Sequence, residues 1–107
     1  MFEGTNQITL EGKITRVMPL RYTPSGLPVL EFAVAFPQFH LGRKSVGSVG
    51  AVVTGDRAEG GSRDFRIGRK IRIDGHLWKR EYRDRSGRRA EEVKIVVERI
   101  GGTDEKS

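Results

Sequence analysis

A chain of 107 residues, 36% hydrophobic and 32% charged, supports one core and hardly two. Its 20 Lys and Arg against 14 Asp and Glu leave a formal charge of +6, which favours polyanions, nucleic acid above all, as partners. With no cysteine, disulfide frameworks, thiolate metal sites and cysteine nucleophiles are excluded. No apolar run approaches the roughly 18 residues that span a bilayer, and Met1 to Gln7 lacks the basic flank and apolar stretch of a signal peptide, so a cytoplasmic protein without membrane association is expected.

From Gln7 to Val17 the chain alternates, with Ile8, Leu10, Gly12 and Ile14 on one face and Thr9, Glu11, Lys13 and Thr15 on the other, the pattern of a half-buried strand. Gly12 inside it predicts a bulge or sharp bend that lets a long strand curl. Pro19 to Pro28 reads as a loop with a tight turn at Pro24-Ser25-Gly26. Alternation returns over Val29 to Phe36, which puts Leu30, Phe32, Val34 and Phe36 on the packed side of a second strand. Pro37 to Gly50 lacks periodicity and is expected to be a mobile loop carrying Phe39, Arg43 and Lys44. A third strand follows at Val49 to Thr54, and Asp56 to Arg66 is too short and glycine-rich for more than a turn of helix.

Ile67 to Arg83 gives the longest alternation. Ile71, Ile73, Gly75 and Leu77 face inward, while Lys70, Arg72, Asp74, His76, Trp78, Arg80 and Tyr82 face outward. The inward parity turns polar after Leu77, so the distal half is predicted to leave the core as a ribbon turning at Asp84-Arg85-Ser86-Gly87. Arg89 to Ile100, with Val93, Ile95, Val96 and Val97, is the fifth strand, and residues 101–107 a short polar tail on a domain of residues 1–100. Five short strands with a bent first one predict an all-β fold closed into a small barrel, since closure hides the strand edges.

The charge is concentrated. Between Arg66 and Arg89 ten basic residues (Arg66, Arg69, Lys70, Arg72, Lys79, Arg80, Arg83, Arg85, Arg88, Arg89) stand against Asp74, Glu81 and Asp84, a local +7. On the outward parity Trp78 and Tyr82 alternate with Lys70, Arg72 and Arg80. Single-stranded nucleic acid asks for that combination of rings for unstacked bases and cations for phosphates, whereas duplex reading asks for a recognition helix that is absent from the pattern. Each residue also has a plainer use: Trp78 in a subunit interface, Tyr82 as a solvent-facing ring, the arginines as guards against edge pairing. Catalysis finds no support, because His40 and His76 have no ligand spacing, with His76 expected to be solvated, and Glu91 and Glu92 point to opposite faces of a strand. No Gly-rich phosphate-binding motif occurs.

Leu10-x-Gly12-x-Ile14, then Leu20-Arg21-Tyr22-Thr23-Pro24-Ser25-Gly26, then Ile67-Gly68-x-x-Ile71-x-Ile73-x-Gly75-x-Leu77, and Tyr82-Arg83-Asp84-Arg85-Ser86-Gly87 leading to Glu92-Val93, together resemble the bacterial single-stranded DNA-binding protein family. The resemblance runs from about Asn6 to Ile100 and implies a five-stranded OB-fold barrel with a projecting hairpin between its fourth and fifth strands. It implies single-stranded DNA binding with little sequence preference, no enzyme activity, and no cofactor, metal or catalytic residue. It further implies a homodimer, with a tetramer as the alternative. Carried over residue by residue, the contacts are Trp78, Tyr82, Lys79, Arg80, Arg83, Arg85, Arg88 and Arg89, with Lys13, Arg16, Arg43 and Lys44 as further nominations; Lys70 and Arg72 join them by outward parity, and Phe39 by its place in the expected loop. Pro19-Leu20-Arg21, Ser25-Gly26-Leu27-Pro28 and an end at Ser107 without linker or acidic tail look like the family's primosomal branch, primosomal replication protein N, which implies replication restart and a primosome helicase as partner. Trp78 and the Tyr82 to Gly87 turn look more like ordinary replicative binders. A primosomal adaptor that docks an acidic protein segment, or an RNA-binding barrel, is the alternative from another class.

Overall fold

The computed structural model describes residues 3–102. Its strands are β1 (Ile8–Val17), β2 (Arg21–Tyr22), β3 (Pro28–His40), β4 (Arg43–Thr54), β5 (Lys70–Arg83) and β6 (Arg89–Gly102), with single helical turns α1 (Asp56–Glu59) and α2 (Gly61–Asp64) between β4 and β5. Neighbouring strands run β1-β5-β6-β4-β3, and β1 closes the ring by pairing with β3 as well. All pairs are antiparallel except β4 with β6. The five-stranded barrel expected from the sequence is therefore present, closed in the Greek-key order of an OB fold. The two-residue β2 adds to the outer side of β3, so the Pro19 to Pro28 stretch is a small hairpin whose turn closes through Gly26 N–H donating to the Thr23 carbonyl at 2.8 Å.

Closure depends on β1 serving two partners. It pairs with β5 from Ile8 to Lys13 and with β3 from Lys13 to Val17. Gly12 stands at that hand-over, where a Cβ would run into the Ala35 carbonyl. The predicted bulge lies slightly later, as a register shift between Ile14 and Arg16. Gly12 thus permits close approach rather than forming the bulge itself.

The barrel interior holds Ile14, Leu30, Phe32, Val34, Val53, Ile71, Ile73, Ile95 and Val97. Each fully buried aliphatic side chain stabilises the fold by about 1.5–3 kcal/mol relative to exposure. Phe65, in a stretch read as polar connection, is also buried, its ring 4.8 Å from that of Phe32. Together with buried Ala58 it covers the core between β4 and β5.

Other expectations need correction. Pro37 to Gly50 is not a mobile loop: β3 and β4 pair without interruption from Val29 opposite Thr54 to His40 opposite Arg43, forming a long arm. Its alternation is hidden because much of the arm is wet on both faces, so hydropathy does not mark it. Phe36 is only half-buried, its ring lying over Gly47, where a Cβ would come within 2.7 Å of Phe36 Cε1. The fourth strand begins at Lys70 rather than Ile67, because Gly68 at φ 95° turns the chain and leaves Ile67 exposed. Leu77 keeps its inward parity but is exposed, so the core ends at Gly75. β6 continues through Gly102, and the remainder of the expected tail, residues 103–107, lies outside the described residues. A radius of gyration of 15.3 Å, against about 13 Å for a spherical domain of this length, reflects the two projecting hairpins.

Candidate nucleic-acid interface

Past Trp78, which lies opposite Lys94 at the last pairing of β6 with β4, the β5–β6 pair leaves the barrel as a two-stranded ribbon. Its turn is built by Asp84, whose Oδ1 accepts from Ser86 N–H at 2.9 Å, Ser86 Oγ at 2.7 Å and Arg88 N–H at 3.0 Å. Gly87, at φ 84°, takes the left-handed position, and its N–H donates to the Asp84 carbonyl. These bonds hold the Asp84 carboxyl below its ordinary range, the Ser86 hydroxyl contributing most. The ribbon and its turn stand where the alternation placed them.

Register divides the ribbon into two faces. Trp78 lies opposite Lys94, Arg80 opposite Glu92 and Tyr82 opposite Ala90, and these share one face. Lys79 opposite Val93, Glu81 opposite Glu91 and Arg83 opposite Arg89 share the other. The nominated cations are thus split: Arg80 stands between the two aromatics, while Lys79, Arg83 and Arg89 point away from them. Trp78 is 36% and Tyr82 40% exposed, so neither ring belongs to the core. The Arg80 guanidinium lies 4.7 Å from the Tyr82 ring centroid and the Lys94 ammonium 4.9 Å from that of Trp78. Lys94 was not readable from the sequence as part of this face, since only the β5–β6 register brings it to Trp78.

Acidic residues thread the ribbon. Glu92 accepts from Arg80 Nε at 2.8 Å and lies 3.6 Å from Lys94 Nζ. The Arg80 hydrogen bond holds the Glu92 carboxyl below its ordinary range, against partial desolvation. On the opposite face Lys79 pairs with Glu91 at 3.3 Å and Arg89 with Glu81 at 3.8 Å. Arg83 donates to the Gly87 carbonyl, while Arg85 and Arg88, exposed at the turn, make no ion pair among the described residues. Such exposed pairs contribute about 0–1 kcal/mol each, so a phosphate can replace the carboxylate. His76 is half-buried rather than simply solvated: Nδ1 lies 2.8 Å from Oε2 of Glu98, the residue that the register shift after Asp74 leaves unpaired in β6.

The other nominated residues gather elsewhere. Because β1 stays with β5 while β3 departs with β4 beyond Ala35, an apolar groove of about 730 Å³ opens between them. Lys13, Lys44 and Lys70 surround it, with Phe36, Pro37 and Val46 in its wall. Phe39 is 71% exposed on the arm, directly opposite Lys44, and Arg43 opposes His40 at the tip. Arg72 faces Glu11 across β1–β5, and Arg16 borders a hollow with Met18, Glu31 and Phe32. Among the described residues no group of three or more His, Cys, Asp or Glu is placed to hold a metal ion, and no helix is long and apolar enough to cross a membrane.

A five-stranded OB barrel with cation-flanked aromatics on a projecting ribbon defines a class of protein. The profile described as the single-strand binding protein family matches residues 5–102, and the chain belongs to that family. Similar curated proteins include single-stranded DNA-binding protein 2 of Listeria monocytogenes, 29% identical over 98 residues that cover 89% of this chain and 61% of that protein. The single-stranded DNA-binding protein of Halalkalibacterium halodurans is 29% identical over 98 residues (89% and 58%), and single-stranded DNA-binding protein A of Bacillus subtilis 28% over 107 residues (91% and 62%). The chain therefore spans between 58% and 62% of the length of these relatives. Among solved structures, a Plasmodium falciparum SSB in complex with ssDNA superposes with a TM-score of 0.83 at 18% identity, covering 97% of this chain and 99% of that one.

Proposed function

We propose that this protein binds single-stranded DNA with little sequence preference, bases lying on Trp78 and Tyr82 and phosphates following Arg80, the turn residues Arg83, Arg85, Arg88 and Arg89, and Lys79. The observation that carries the reading is the ribbon face itself. Two exposed rings stand four residues apart on one strand with a guanidinium midway between them, an arrangement that suits stacked bases, in a chain of the single-strand binding family. Lys13, Lys44 and Lys70 around the groove, Phe39 and Arg43 on the arm, and Arg16 and Arg72 on the barrel wall would extend the path of the strand. The names of the matched relatives and the DNA in the Plasmodium complex support the choice of ligand.

The test is a double-labelled comparison of wild type with W78A and Y82A on one fluorescent deoxyoligonucleotide. Each ring is expected to contribute about 1–3 kcal/mol of binding, so each variant loses roughly fivefold or more in affinity with an unchanged melting temperature. A large loss of stability with intact affinity would instead place Trp78 in a subunit interface. An RNA oligomer of matching sequence, bound more tightly than the DNA, would turn the reading toward RNA.

Within this reading two finer roles stand. The relatives carry the names of general single-strand binders, which favours a replicative-type role. Pro19-Leu20-Arg21 and Ser25-Gly26-Leu27-Pro28 favour primosome assembly as a homodimer with a helicase partner. Sedimentation of the free protein and its co-sedimentation with a replication-restart helicase separate the two.

A further inference from the structure

The rings proposed to receive bases are not bare in the free protein. Lys94 covers a face of Trp78, Arg80 lies over Tyr82, and Glu92 sits between the two cations within 2.8 Å of Arg80 and 3.6 Å of Lys94. All five groups project from one face of the ribbon, in register positions 78/94, 80/92 and the adjacent 82. An anion bridging two cations, each of which caps an aromatic ring, occupies the relation to them that a backbone phosphate would take between two stacked bases.

We infer that Glu92 is a built-in counterion that competes with nucleic-acid phosphate for Arg80 and Lys94 and thereby holds both rings covered until a strand arrives. This rests on the single-stranded DNA reading. The Glu92 carboxylate, half in solvent and bonded chiefly to Arg80, keeps its charge at neutral pH and costs little to displace. Binding is then an exchange: phosphate replaces Glu92, the cations swing from the rings to the backbone, and the bases take their place. The other acids do not have this relation, since Glu91 and Glu81 hold Lys79 and Arg89 on the face without aromatics. Glu92 accordingly sets the affinity of the face and disfavours occupation by weakly charged ligands.

Glu92→Gln keeps the shape and removes the charge, and Glu91→Gln removes the same charge one residue away on the opposite face. Two measurements are made on wild type, E92Q and E91Q. The first, without DNA, is quenching of Trp78 by neutral acrylamide, expected to rise in E92Q as Lys94 leaves the ring and to stay at the wild-type level in E91Q. The second is affinity for an oligothymidylate at low salt. E92Q is expected to tighten binding about fivefold or more, with a salt slope steeper by about one, and E91Q by clearly less. Unchanged quenching in E92Q, or an E92Q affinity no higher than that of E91Q, overturns the counterion role. Absence of oligothymidylate binding in all three proteins defeats the DNA reading instead, while the quenching arm still reports whether Glu92 holds Lys94 in place.

Discussion

Asp84 illustrates how a single residue places the basic turn. Its carboxylate takes three hydrogen bonds from Ser86 and Arg88, and the folded state holds its pKa below the ordinary 3.8. A depressed carboxylate stabilises the turn fully above its unfolded value and loses that contribution as pH falls through the lower folded one. Acidification through and below 3.8 should therefore free the Ser86 and Arg88 amides to exchange while barrel amides stay protected, and Asp84→Asn should weaken the turn already at neutral pH. Hydrogen exchange resolved by NMR reads both. In the core the scale of effects is larger: Ile73 is fully buried, and Ile73→Ala is expected to cost about 2–5 kcal/mol in denaturant unfolding.

Among the elements, the β3–β4 arm departs most from what the sequence suggests. Its tip runs His40-Leu41-Gly42-Arg43, with Leu41 at φ 52° and Gly42 at φ 77°, so a branched side chain occupies a position that favours Asn or Gly. Leu41 is also 88% exposed. Leu41→Asn should raise stability by about 1 kcal/mol, seen as a higher denaturant midpoint at constant slope; a lower midpoint would contradict the turn geometry. The same arm shows why part of the fold was illegible. β1, β5 and the barrel half of β6 alternate because one face meets the core, whereas Pro37–His40 and Arg43–Val46 have water on both faces and leave no such trace. Phe65 escaped notice as one apolar residue in a polar connection. The ribbon face was legible as far as parity goes, through Trp78, Arg80 and Tyr82. Lys94 and Glu92 were not, because they join it only through cross-strand register, which a bulge after Asp74 offsets.

For the whole molecule, the excess of positive charge should make binding strongly salt-dependent. If about four to six phosphates are neutralised, log affinity should fall with log salt at a slope of about −3 to −4. The ion pairs of Glu92, Glu91 and Glu81 with cations of the ribbon are expected to lower that number. The barrel below is expected to be indifferent to these exchanges, since none of the paired groups enters the core.

The most direct test uses the lone tryptophan as its own probe. Titration with single-stranded and with duplex DNA of one sequence should quench Trp78 emission saturably with the single strand and far less with the duplex. Equal quenching by both, or a single strand that binds without altering Trp78, would contradict the assignment of this ribbon as the surface on which unpaired bases stack.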